Sequence, residues 1–201
     1  MRDNFERCLS EVLKHEGGWS DHPADPGGAT MKGVTLATFR KYRPSATKAD
    51  LRAISEADLR MIYRGGYWDR IRGDDLPAGL DLVAFDAAVN SGPGRGARWL
   101  QSALGVSADG QIGPKTIAAA KAHADRQKVI RTACQDRLRW LQTLGIWATF
   151  GKGWARRVAA VEAAALTMAA AGVSTPSSTP SGTGWLAAFL KFIATLLRRS
   201  K

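Results

Sequence analysis

The segment His15-Glu16-Gly17-Gly18-Trp19-Ser20-Asp21-His22-Pro23-Ala24-Asp25-Pro26-Gly27-Gly28-Ala29-Thr30 decides how the chain is read. Before it, in Asn4 to His15, the apolar residues Phe5, Cys8, Leu9, Val12 and Leu13 recur at spacings of three and four. That pattern predicts a helix with one stripe buried against a core. Glu16 shares the face of Val12, so it is expected to lean toward apolar surroundings, and partial desolvation favours the neutral acid. Gly17 and Gly18 are expected to end the helix with positive φ and to leave open space beside the carboxyl. The Pro- and Gly-built loop then folds back and carries Asp25 alongside. A lone Glu-Gly pair would read as a solvated acid. A second carboxyl on a fixed loop instead suits acid catalysis, with one group giving a proton and the other stabilising charge or activating water.

The longer pattern is more specific. Phe5…Val12-Leu13-x-His15-Glu16-Gly17-Gly18-Trp19, then Pro23-x-Asp25-Pro26-Gly27-Gly28-x-Thr30-x-x-Gly33-Val34-Thr35, resembles the N-terminal domain of glycoside hydrolase family 108. The similarity continues at Tyr63-Arg64-x-x-Tyr67-Trp68-Asp69 and Asp86-x-Ala88-Val89-Asn90-Ser91-Gly92. The resemblance implies a lysozyme-like two-lobed helical domain and an N-acetylmuramidase of the holin-associated, phage or prophage endolysin kind. Its reaction would be hydrolysis of the β-1,4 bond between N-acetylmuramic acid and N-acetylglucosamine in peptidoglycan. It further implies Glu16 as general acid, Asp25 as second carboxylate and Thr30 as the hydroxyl that holds water or substrate. The Asp25-to-Thr30 gap is one residue shorter than in the common phage lysozymes, so Thr35 competes as the hydroxyl, and Asp21 is the alternative to Asp25. Trp19, Tyr67 and Asn90 are candidates for the sugar-binding wall.

Composition is compatible with this reading. The 201 residues allow one domain of ~150 to 170 residues plus an appendage. The net charge of +11 suits a polyanion such as a wall polymer or an anionic lipid surface. No basic/aromatic module is recognisable, so nucleic acid is not an expected partner. Cys8 and Cys134 both fall in helical apolar patterns, where a thiol acts as a small buried hydrophobe. His15, His22 and His123 are scattered without zinc-ligand spacing, and neither metal nor cofactor is expected. Met1 to Arg7 carries charge and no apolar stretch, so no signal peptide is expected. The protein is then expected to be a monomer made in the host cytoplasm that reaches the wall through a holin-type release.

Further along, Leu36 to Tyr42 predicts a short basic helix, Ser45 to Asp50 a linker, and Ser55-Glu56-Ala57-Asp58 a helix start capped by Ser55. Asp81 to Asn90 predicts a strongly apolar helix through the middle of the domain, with Asp86 as a structural acceptor. From Arg95 on, Leu104-Gly105-Val106-x-Ala108-Asp109-Gly110-Gln111-Ile112-Gly113-Pro114-Lys115-Thr116 resembles the turn of a small helical peptidoglycan-binding module. Asp109-Gly110 and Gly113-Pro114 also make sense as plain turn dipeptides. Residues 94–172 are accordingly expected as a helical region packed on a catalytic region of residues 1–93, an independently folded module being the alternative. Helices are expected at Lys115 to Ala124, Arg126 to Leu144 and Arg156 to Ala171, with Trp140, Trp147, Phe150 and Trp154 in the core. The fold class is mainly α, with at most a short β-hairpin between residues 18 and 36.

Residues 173–184, rich in Ser, Thr, Pro and Gly, read as a flexible linker. In residues 185–201 the apolar run ends in Arg198-Arg199-Ser200-Lys201, and Lys191, Thr195 and Arg198 share one face. Its helical length of ~20 Å is short of the ~30 Å hydrocarbon core, so it reads as a cationic amphipathic helix for an anionic membrane surface. Two rival classes stay open. One is a non-catalytic peptidoglycan-binding or secretion-activating protein, and the other a membrane-permeabilising cationic protein.

Overall fold

The computed structural model describes residues 4–21 and 28–173. Asp25, the Ser/Thr/Pro stretch from Ser174 and the helix expected at 185–201 lie outside them. The described chain is mainly α with one two-stranded hairpin. Helix α1 (Asn4–Leu13) buries Phe5, Cys8, Leu9 and Val12, the stripe that its spacing predicts. It ends earlier than expected, and not through glycine. His15 N–H donates to Val12 (3.0 Å) and Glu16 N–H to Leu13 (3.3 Å), tight turns that use up the last carbonyls. Neither Gly17 nor Gly18 adopts positive φ, but a Cβ at either would meet nothing within 4 Å, so the open space beside Glu16 is real.

The hairpin pairs β1 (Thr30–Met31) with β2 (Val34–Thr35), Thr30 opposite Thr35, and Ser20 bridges the outer edge of Thr30. Helix α2 (Leu36–Arg40) is capped by the Thr35 hydroxyl, which accepts from Thr38 N–H. The stretch expected as a linker contains a helix, α3 (Lys48–Arg52). The Thr47 side chain accepts from Asp50 N–H while the Asp50 carboxylate accepts from Thr47 N–H, a reciprocal cap that satisfies two otherwise orphan donors. Ser55 caps α4 (Glu56–Tyr63) as expected. Beyond it the chain widens into a single π-helical turn at Arg64–Trp68.

Helix α5 (Leu80–Ser91) is buried continuously from Leu80 to Ala88 and runs through the centre. It packs against α1, α6 (Pro93–Ala103), α8 (Arg126–Gln142) and α9 (Trp147–Val173), while α7 (Pro114–Ala122) joins α6 to α8. Gly96 permits the α5–α6 contact, since a Cβ there would lie 2.8 Å from the backbone nitrogen of Ala88. Phe5, Trp68 and Phe85 form an edge-to-face aromatic cluster with centroids 5.2 to 6.0 Å apart. Trp68 Nε1 donates to Asp74 at 3.0 Å, so its one polar atom is satisfied. Truncating Phe85, which is fully buried, would cost about 3–5 kcal/mol.

The Asp109–Thr116 turn is organised by buried Gln101. Its amide N–H groups donate to Asp109, the Gln111 carbonyl and Thr116, and its oxygen accepts from Gly110 N–H. Helix α9 starts at Trp147, well before the expected Arg156, and continues through Gly151 and Gly153. Among the four aromatics expected in the core, Trp140, Trp147 and Trp154 are partly buried, but Phe150 is 52% exposed. Cys8 and Cys134 are buried free thiols. Burial pushes Cys134 up to about 12 and Cys8 still higher, so both are inert apolar fillers.

Candidate active site

Two turns and a helix meet at Glu16. The first is the tip of the hairpin, Lys32-Gly33, with φ of +46° and +72°. Both residues are left-handed, as the commonest two-residue hairpin turn requires. Gly33 serves a second purpose here. A Cβ on it would lie 2.5 Å from Glu16 Oε2 and 2.6 Å from the Tyr63 hydroxyl, so only glycine lets the turn close over the carboxyl. Tyr63, at the end of α4, donates its hydroxyl to the Lys32 carbonyl at 2.8 Å and pins the tip in place. Burial, then the Glu16 charge, pushes the Tyr63 phenol far up, so it stays a neutral donor. Tyr67, on the π-helical turn, sits 5.7 Å from the Tyr63 ring, and burial followed by Glu16 raises it too.

The helix is α9. Arg157 Nη2 stands 2.9 Å from Glu16 Oε1 and 2.8 Å from Asp86 Oδ1, while its Nε donates to the same Asp86 oxygen at 2.9 Å. Asp86, fully buried on α5, takes a further bond of 2.6 Å from Arg137 Nη1 on α8. Arg137 Nη2 in turn donates to Asn90 Oδ1 at 3.0 Å. The result is an alternating chain, Glu16–Arg157–Asp86–Arg137–Asn90, in which two carboxylates meet two guanidiniums. Burial alone would push Asp86 up, yet the two arginines outweigh it and hold the carboxyl below the usual range. Glu16 is therefore not set among apolar groups as its helical position suggests. A guanidinium fixes its rotamer from one side, and Gly33 and Tyr63 bound it on another.

Beside Glu16, Gly17 and Gly18, an open groove of about 530 Å³ runs between α1 and α4, and Lys32 also lines it. Trp19 is partly buried, with Arg52 stacked over its ring at 5.6 Å. The Thr30 hydroxyl donates to the Gly28 carbonyl at 3.0 Å, and Thr35 is occupied as the cap of α2. Asp21 pairs with Lys48 at 3.0 Å on the surface. Asn90 lies beyond the arginines, where it lines a separate pocket with His15 and Arg157. Thus Tyr67 comes close to Glu16, Asn90 is linked to it through Asp86 and the arginines, and Asp25 is outside the described residues.

Arg157 and Arg137 frame the candidate site although no sequence motif marks them, and Gly33 enters the sequence reading only within the longer family-like pattern. The arginines left no local signal, being two among the 29 basic residues. Gly33 did leave one, as the second residue of a tight turn between Met31 and Val34.

A carboxyl oriented by a buried guanidinium at the edge of an open groove supplies one of the two acids that a glycoside hydrolase uses. Comparison agrees. The family model described as Glycosyl hydrolase 108 matches residues 9–92, and the one described as Predicted Peptidoglycan domain matches residues 95–159. A solved structure titled "Structure of Brucella abortus SagA" is 43% identical, with a TM-score of 0.74, and the alignment covers 84% of this chain and 97% of that one. No curated protein matches. The chain belongs to glycosyl hydrolase family 108, and peptidoglycan is the partner that its second region indicates. Glu16 and Asp86 fall in the first matched region and both arginines in the second, so the ion-pair chain joins the two.

Proposed function

We propose that the protein is an endolysin-type N-acetylmuramidase that cleaves the β-1,4 bond between N-acetylmuramic acid and N-acetylglucosamine. The observation that carries this reading is the Glu16 carboxyl, 2.9 Å from Arg157 and facing open space at Gly17 and Gly18. Glu16 gives a proton to the glycosidic oxygen as the bond breaks and oxocarbenium character develops on the sugar. Asp25 supplies the second carboxylate, and Thr30 holds water or substrate. Trp19 and Tyr67 form part of the sugar-binding wall. Arg157 positions the carboxyl and does not itself react.

The test is Glu16→Gln, which removes the titratable proton and nearly keeps the shape. Lysis of purified peptidoglycan should drop to ~1% or less, as loss of general acid catalysis entails, with the melting temperature kept. Mass spectrometry of the wild-type digest should show fragments ending in reducing N-acetylmuramic acid. Near-normal lysis by folded E16Q would sink the assignment and favour a non-catalytic wall-binding protein.

In the same reading, residues 185–201 bind an anionic membrane surface, and the protein reaches the wall after a holin-type release. Each basic residue near the lipid surface contributes about 1 kcal/mol, so binding weakens with salt. Truncation after Ser174 should leave hydrolysis of purified peptidoglycan unchanged but reduce co-sedimentation with anionic vesicles. Equal sedimentation by both forms would exclude a membrane role for the tail.

A further inference from the structure

The first turns of α9 carry Trp147, Phe150, Trp154 and Arg157 at spacings of three, four and three, which puts them on one face of the helix. The Trp154 ring stands 6.2 Å from that of Trp147 and is stacked on Phe150, with centroids 5.9 Å apart and planes at 30°. Phe150, nonetheless, is one of the few large apolar side chains left exposed among the described residues. Beside it lies a pocket of about 250 Å³ lined by His15, Asn90, Phe150, Gly153, Trp154 and Arg157.

Two glycines interrupt this part of the helix, and they differ in a telling way. Gly151 has an internal reason, because a Cβ there would come within 2.5 Å of the Trp147 ring. Gly153 has none, since a Cβ there would meet nothing within 4 Å. Glycine inside a helix is destabilising relative to alanine, so its presence without a packing reason points to space kept for something outside the fold. The pocket is that space.

The lining then selects the chemistry. Phe150 and Trp154 give the lining an aromatic, partly exposed part, and His15, Asn90 and Arg157 a polar one. Asn90 has its oxygen engaged by Arg137 and therefore offers N–H donors. The ring of His15 makes no hydrogen bond among the described residues. Burial and then the Arg157 charge hold it below its ordinary range despite nearby acids, so at neutral pH it is an uncharged donor and acceptor. Among the described residues Arg157 is the one charged group in the lining, and Glu16 and Asp86 already neutralise it. An anion would have no free counter-charge here. A pyranose ring fits better, with its C–H face on Phe150 and Trp154 and its hydroxyl and acetamido groups toward His15 and Asn90. The volume, below the ~300 Å³ at which whole-ligand pockets begin, suits one ring of a longer chain.

We propose that this pocket is a saccharide subsite, holding one N-acetylated amino sugar of the glycan strand whose bond is cut at Glu16. The occupant rests on the muramidase reading above. The test uses full-length protein and peptide-free glycan strands of alternating N-acetylglucosamine and N-acetylmuramic acid. Phe150→Ala and Gly153→Ala should each raise KM about fivefold or more with kcat little changed. In the Glu16→Gln background each should weaken strand binding, read by tryptophan fluorescence, to the same degree. F150A, which loses its stacking on Trp154, should lower Tm only slightly, and G153A should keep or raise it, so with both variants folded at the assay temperature the loss cannot come from unfolding. Wild-type KM and binding in both variants would overturn the subsite while leaving the muramidase reading intact. Weakened binding only to peptide-bearing strands would also overturn it, by assigning the pocket to the stem peptide. A wild-type protein that cleaves no strand would instead refute the underlying reaction.

Discussion

Arg157 on α9 and Glu16, in the turn that follows α1, form an ion pair of 2.9 Å, and the same guanidinium nitrogen reaches Asp86. The carboxyl that carries the proposed chemistry is thus held by a group from the far end of the described chain, itself anchored by a buried acid. Glu16 does not depend on its own turn alone for its direction.

Replacing Arg157 tests that dependence. Arg157→Met keeps an unbranched apolar stem but removes the guanidinium and its charge, leaving Asp86 with Arg137 alone. Breaking a buried pair costs about 3–5 kcal/mol, so Tm should drop clearly. The kcat should fall about tenfold or more while KM changes less, because a misdirected acid weakens the transition state more than ground-state binding. Unchanged kcat at a temperature where the variant is folded would deny Arg157 any positioning role.

Gly33→Ala addresses the other wall of the site. The added methyl would sit 2.5 Å from Glu16 Oε2 on a backbone of φ +72°, so both sterics and conformation oppose it. A loss of about 1–2 kcal/mol in stability is expected from the left-handed conformation alone, together with reduced activity from the displaced carboxyl. Thermal unfolding and initial rates on purified peptidoglycan would reveal both. Activity equal to wild type would mean that the hairpin tip can move away without consequence.

For Asp25, the expected outcome of Asp25→Asn is a large fall in kcat with substrate binding nearly kept, as for a charge that acts on the transition state. If the whole loss falls in KM, Asp25 binds substrate instead. Asp21 is the weaker substitute, since Lys48 already pairs with it.

A pH experiment separates two buried acids with opposite behaviour. Burial pushes Asp81 up to about 6, although Asn4, Gly79 and Leu82 donate hydrogen bonds to it. Between its unfolded value near 3.9 and 6 the folded state binds more protons, so stability falls as pH rises through this window, by on the order of 3 kcal/mol. Asp86 is held low, so its contribution is present above pH ~4 and is lost on acidification. Asp81→Asn should therefore remove the decline from pH 4 to 6, so that its Tm relative to wild type rises across that interval. A constant difference between the two Tm curves would show that Asp81 does not titrate there.

Much of this protein was legible in the chain itself. The apolar spacing of Phe5 to Leu13, the cap at Ser55 and the apolar run around Val83 to Ala88, broken only by Asp86, are local patterns, and each became the helix it predicts. Glu16 was legible too, because a motif of adjacent residues carries it. Other local signals were present but misread. Thr47 and Asp50 form a reciprocal cap inside a stretch taken for a linker, and α9 absorbs two glycines because Trp147 packs over one of them.

What the sequence could not disclose is who stands opposite Glu16. Its position relative to Val12 suggests apolar neighbours, since periodicity reports which face turns inward but not what that face meets. Arg157 and Arg137 reach the site only after α8 and α9 pack across α5, and nothing near them in sequence distinguishes them from arginines on the surface. Only the tertiary structure, by stacking three helices around one buried Asp86, converts two ordinary basic residues into the frame of the proposed acid, Glu16.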